Sequence, residues 1–115
     1  MAITYIARQT DTLTQPITAA TTVAASTPFS LNSAGGGMLL CTAVSAGSPQ
    51  VIKFNVSTSA SPASTYELRD ATNTAISLTV DALKAYDLPA ELFAAPYIFI
   101  TIASGTATFL ISTKS

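Results

Sequence analysis

The sequence predicts an all-β domain, an antiparallel β-sandwich or jelly-roll-like fold of about seven to eight strands with an extended N-terminal arm. Three observations lead there. The clean apolar patterns alternate with period two, which sends successive side chains to opposite faces of a sheet. Clusters of Gly, Pro, Ser, Asn and Asp recur about every 8 to 12 residues, the turn rhythm of a sandwich or barrel. No segment carries a convincing helical stripe. A chain of 115 residues makes one domain of ordinary size, able to bury a core without disulfides or metals.

Taken in order, residues 1–27 are the weakest core material. They hold one short apolar alternation, Ile3, Tyr5 and then Ile6, followed by a Thr/Ala-rich stretch around Pro16. This composition predicts an arm that becomes ordered on a neighbouring subunit. A plain edge strand of the same sandwich is the other reading. Ile3, Tyr5, Ile6 and Arg8 are the candidate subunit contacts, and the sandwich is expected over residues 28–115. Within it Phe29 and the run Met38 to Val44 come first, separated by the turn Ala34-Gly35-Gly36-Gly37. A second turn, Ser45 to Pro49, leads to a strand in which Ile52, Phe54 and Val56 alternate with Val51, Lys53 and Asn55. Tyr66 and Leu68 alternate with Glu67 and Arg69, and Ile76, Leu78 and Val80 with Ser77, Thr79 and Asp81. Asp70-Ala71-Thr72-Asn73-Thr74 between them reads as a hairpin tip.

A corner follows at Leu88-Pro89-Ala90-Glu91-Leu92-Phe93. Pro89 suits the first position of a short helical turn, which would tuck Leu92 and Phe93 under the sandwich with Leu88. The rival is a regular helix over residues 81–92. Tyr97 to Ile102 is apolar at every position except Thr101, as in a strand covered on both faces. After the Ala103 to Thr106 turn, Phe109 and Ile111 alternate with Thr108, Leu110 and Ser112. The expected core is therefore Ile52, Phe54, Val56, Ile76, Leu78, Val80, Phe109 and Ile111.

Charge narrows the function classes. Only 10% of residues are charged while 49% are hydrophobic, and the formal net charge is −1. Soluble proteins carry roughly a quarter charged residues. No charged side chain occurs between Asp11 and Lys53. Such a stretch is either a flexible linker or a surface covered by other subunits, where charges are depleted; Phe29 and Met38-Leu39-Leu40 are too apolar for a linker throughout. The five basic residues are scattered, so no nucleic-acid partner is expected. No run approaches a membrane span. The first residues lack a basic start and apolar core of signal-peptide type, so synthesis in the cytoplasm without secretion is expected.

Chemistry is equally sparse. There is no histidine, and Cys41 is the one cysteine. The usual general base and triads are missing, and zinc or iron–sulfur ligand spacings cannot be assembled. Cys41 reads as a small buried hydrophobe. Asp70 and Asn73 lack the other ligands of a calcium loop. Asp81 and Asp87 flank Lys84 and read better as solvated strand-end charges than as a glycosidase pair. Gly35 to Gly37 has no following Lys-Ser/Thr of a phosphate loop and reads as a flexible turn. No enzyme activity, cofactor or metal is expected.

The segment YELRDATNTAISLTVDALKAYDLPAELFAAPYIFITIASGTATFLISTKS, from Tyr66 onward, resembles small structural proteins of tailed bacteriophages and prophages. The shared pattern is a strand ending in Leu-x-Asp, a polar turn and an alternating ISLTV-like strand. A Y-x-LP-x-ELF-A corner, an apolar strand, an SGTA turn and a closing strand complete it. Residues 27–65 fit more loosely, and the N-terminal arm matches nothing in the pattern. The resemblance implies a β-sandwich component of the virion, with a capsid decoration (cement) protein as the leading expectation. That protein would bind the major capsid protein or another virion protein as a homo-oligomer, with the trimer favoured by the resemblance. The alternative is a tail or fibre module that binds a host surface or glycan. Against glycan binding, most aromatics fall inside alternating strands and there is no Trp.

Overall fold

The computed structural model of the chain describes residues 12–31, 36–47, 49–61 and 64–114. The fold is all-β, and the described residues form eight strands in two antiparallel sheets. The strands are β1 (Thr12–Ala19), β2 (Gly36–Val44), β3 (Gln50–Ser57), β4 (Tyr66–Glu67), β5 (Ser77–Val80), β6 (Lys84–Asp87), β7 (Tyr97–Ile102) and β8 (Ala107–Lys114). The first sheet has the order β1-β8-β2-β6. In the second, β3 is central, with β7 on one side and β4 and β5 on the other. Their inner faces meet in one core. Ile17, Leu39, Cys41, Phe109 and Ile111 come from the first sheet, and Ile52, Phe54, Val80, Ile98 and Ile100 from the second.

The connection from β1 to β2 explains the topology. Residues 20–29 leave the first sheet and run past the free edge of β7. Ile102 donates its N–H to Ala20 O (3.0 Å), and Phe29 and Ile98 exchange two main-chain bonds (3.0 and 2.8 Å). Counting this segment as a fourth position gives the second sheet the order crossover-β7-β3-(β4, β5). Together with β1-β8-β2-β6, this is the strand order of a jelly roll.

Residues 12–27, assigned to an arm on sequence grounds, thus belong to the sandwich. All eight residues of β1 pair with β8, from Thr12↔Lys114 to Ala19↔Ala107. Ile17, Ala19 and Ala20 are buried. The stretch looked poor because Ala and Thr supply little apolar area; where two sheets approach closely, small residues are what fits. The candidate contacts Ile3, Tyr5, Ile6 and Arg8 lie outside the described residues.

The expected core positions fall on the inner side. Ile52, Phe54, Val80, Phe109 and Ile111 are buried, while Val56, Ile76 and Leu78 are half-buried against them. In β7, Ile98 and Ile100 face the core, and Phe99 on the opposite face is buried too. Tyr66 departs from the pattern, since it is exposed. Strands β4 and β5 lie end to end along β3, at Asn55–Val56 and Gln50–Lys53 respectively. Residues 70–74 form a small excursion closed by the Arg69↔Ala75 bridge, so this turn is a local tip and not a link between neighbouring strands. Asp70 Oδ1 organises it, accepting from Thr72 Oγ1 (2.7 Å), Thr72 N (2.9 Å) and Thr74 N (3.0 Å). Those bonds, the Thr72 hydroxyl first, hold its carboxyl below the usual aspartate range.

The corner after β6 is a single 3₁₀ turn, Ala90–Ala94, entered through Pro89. Residues 81–92 form no regular helix: a turn at 82–83 and β6 occupy that span. Leu88 and Leu92 are buried, and Phe93 packs half-buried against the core. Leu88 reaches Gly37, which is a β2 residue together with Gly36 rather than part of a flexible turn.

Candidate interaction surface

The outer face of the first sheet is built by alternation. Because Ile17, Leu39, Cys41, Phe109 and Ile111 point into the core, their strand neighbours point outward. The register then aligns Pro16, Leu110, Leu40 and Ala85 in one row across all four strands. The adjacent row runs through Ser112, Met38 and Asp87, and Thr18 and Thr108 flank the other side. Thr42 is an extra residue between Cys41 and Ala43, a β-bulge. Its hydroxyl meets Thr108 O (2.9 Å) and the Thr108 hydroxyl (2.8 Å). Met38 is 45% exposed. Among the described outward side chains of this face the charge is Asp87, on the edge strand. An apolar row bordered by hydroxyls, with its centre free of charge, is the composition of an interface core and not of a solvated sheet face.

Beside this face stands Leu83, at the turn between β5 and β6. It is 87% exposed and adopts a left-handed φ of 62°, while its N–H donates to Cys41 O (2.7 Å). Asn or Gly is the ordinary occupant of such a position. Among the described residues nothing in the packing calls for a leucine there. The turn is otherwise closed by Tyr86, whose hydroxyl accepts from Asp81 N (2.8 Å), and by the Lys84–Asp81 ion pair (3.5 Å). Lys84 thus pairs with Asp81, and Asp87 lies at the far end of β6.

The edges of the sheets bear on assembly by strand addition. Thr18 directs its main chain away from β8, donating N–H to Thr27 Oγ1 (3.1 Å) and accepting from Thr27 N (2.9 Å). Ala20 N likewise donates to Ser26 Oγ (3.1 Å). Pro16 faces the same edge two residues earlier and has no N–H to offer. The β1 edge is therefore closed from Pro16 to Ala20, and the β7 edge is bridged by residues 20 and 29. Strand β6, four residues long with Lys84 and Asp87 at its ends, is the more open edge of the first sheet.

Cys41 is buried beneath the bulge, and burial pushes its thiol up from its ordinary value. Among the described residues no three of His, Cys, Asp and Glu gather where they could hold a metal ion. Among them, too, no helix is long and apolar enough to cross a membrane. The outer face and Leu83 are visible only once the register is known; the exposed leucine leaves no signal in the sequence. Comparison of the chain with protein-family models, with curated proteins and with solved structures finds no match.

Proposed function

We propose that this chain is a non-enzymatic structural subunit of a bacteriophage virion, a capsid decoration protein that binds the shell as an oligomer and reinforces it. The observation that carries this reading is the charge-free central row Pro16, Leu110, Leu40 and Ala85 on the outer face of the first sheet, flanked by the exposed Leu83. The jelly-roll order adds an analogy, since viral capsid domains share it, although a fold by itself does not fix a role. The resemblance of residues 66–115 to phage structural proteins points the same way, and trimeric assembly rests on that resemblance alone. The subunit would be made in the host cytoplasm and take its place on the virion, with the major capsid protein as its principal partner.

Size favours many copies acting together. Four strands of up to nine residues span on the order of 500 Å² in projection, short of the roughly 800 Å² per partner of a standard stable interface. Added contacts from residues 1–11, with Ile3, Tyr5, Ile6 and Arg8, would raise effective affinity by linking neighbours. The alternative, a tail or fibre module that binds a host glycan, draws on the exposed Tyr66, because sugars stack on aromatic faces. Cryo-microscopy of particles assembled with the purified chain separates the two. Density for regular copies on the shell, with the first sheet facing a protein neighbour, is the expected result. Density on the tail alone, or a solvated first sheet, overturns the proposal.

A further inference from the structure

On the opposite side of the molecule, the outer face of the second sheet carries a small cleft of about 280 Å³, lined by Thr21, Val51, Lys53, Thr101, Ile102 and Ala103. Lys53 stands on the central strand, opposite Ser77 on one side and Thr101 on the other. Among the described residues Arg69 pairs with Glu67 and Lys84 with Asp81, while Lys53 has no anionic partner. The lining contains no acidic residue. Thr101 Oγ1 already accepts from Asn55 Nδ2 (3.4 Å), which leaves its hydroxyl hydrogen to donate elsewhere. Lys53 and the two threonines thus line one space beside the exposed Val51, with Ile102 turning its side chain into the core behind it. One uncompensated cation with hydroxyl donors matches a monoanion of carboxylate size, and the volume, just under the roughly 300 Å³ of the smallest drug-holding pockets, suits a side chain rather than a large ligand.

We propose that this cleft is a carboxylate-binding site that receives the side chain of a Glu or Asp from a partner protein. The inference does not depend on the virion reading, because it rests on the chemistry of the cleft alone. It gives the molecule two unlike faces, one with an apolar central row on the first sheet and a carboxylate-selective one on the second.

The test is a titration of the isotope-labelled full chain, followed through its amide resonances. The probes are a blocked Gly-Glu-Gly peptide, its Gly-Gln-Gly analogue and sodium acetate. The proposal expects saturable shifts confined to residues 21, 51–53 and 101–103 with the Glu peptide, and binding at least about threefold weaker with the Gln peptide. Lys53→Met should abolish the Glu preference while leaving the rest of the spectrum unchanged, and Thr101→Val should weaken binding without reversing that preference. Equal response to Glu and Gln peptides, or unchanged binding by Lys53→Met, overturns the site. Acetate binding as tightly as the Glu peptide overturns the assignment to a protein side chain.

Discussion

The side chain of Leu88 fills the space that a β-carbon on Gly37 would occupy, with its Cδ1 2.9 Å from that position. The neighbouring Ser112 carbonyl oxygen would lie 3.1 Å away, so a β-carbon here would force the leucine tip and the adjacent β8 backbone to shift. The glycine in β2 and the leucine that opens the corner are therefore one packing unit. Gly37→Ala should destabilise the fold by about 1–3 kcal/mol, the usual range for overpacking. Gly36→Ala is the control, since nothing lies within 4 Å of its would-be β-carbon, and it should be neutral or stabilising by up to about 1 kcal/mol. Urea denaturation of both variants checks the difference. Equal midpoints would show that Leu88 does not seat on Gly37.

The core supplies a larger effect. Phe54 is fully buried on the central strand β3, between the two sheets. Phe54→Ala should cost about 3–5 kcal/mol, a large share of the roughly 5–15 kcal/mol that keeps a typical domain folded. Val51, on the opposite face of the same strand, is 41% exposed. Val51→Ala should stay within about 1 kcal/mol. Thermal unfolding of the pair reads out the orientation of β3, and a reversed order of effects would invert it.

Cys41 gives a pH-dependent readout. Its folded pKa is raised by burial, so the folded state favours the neutral thiol. The stabilising contribution is complete below the unfolded thiol pKa, near 8.5. It is lost as pH rises through that value toward the folded one. Iodoacetamide at pH 8.5 should label the folded chain slowly and the urea-unfolded chain fast. Rapid labelling of the folded chain would mean that the thiol reaches solvent.

Much of the sandwich was legible because strand alternation is a local signal. Ile52 and Phe54 against Lys53, and Phe109 and Ile111 against Thr108, need only the pleat to sort them. The places that misled share one cause, dependence on partners remote in sequence. Ile17 and Ala19 count as core because β8 lies beside them, about ninety positions later at Phe109 and Ala107. Gly37 reads as a turn residue until Leu88 arrives. Tyr66 follows the alternation of its neighbours and is still exposed, at the start of a two-residue strand that pairs with β3. The outer face is harder again, for Pro16, Leu110, Leu40 and Ala85 become one row only through three registers at once.

Leu83 offers the sharpest separation of folding from assembly. Its left-handed φ disfavours leucine, and its 87% exposure means that little apolar burial is gained in the isolated chain. Leu83→Asn should therefore leave stability unchanged or raise it by up to about 1 kcal/mol, since asparagine tolerates this backbone region. If the leucine is kept for a partner, the same variant should weaken self-association or attachment to particles. Leu40→Lys, which puts a charge in the middle of the outer row, should do so more strongly while the sandwich remains folded. Sedimentation velocity and a particle-binding assay, alongside urea denaturation, measure both effects on the same samples. Full assembly and attachment by both variants would leave the first sheet's outer face as ordinary surface, and the decoration role would lose the observation on which it rests.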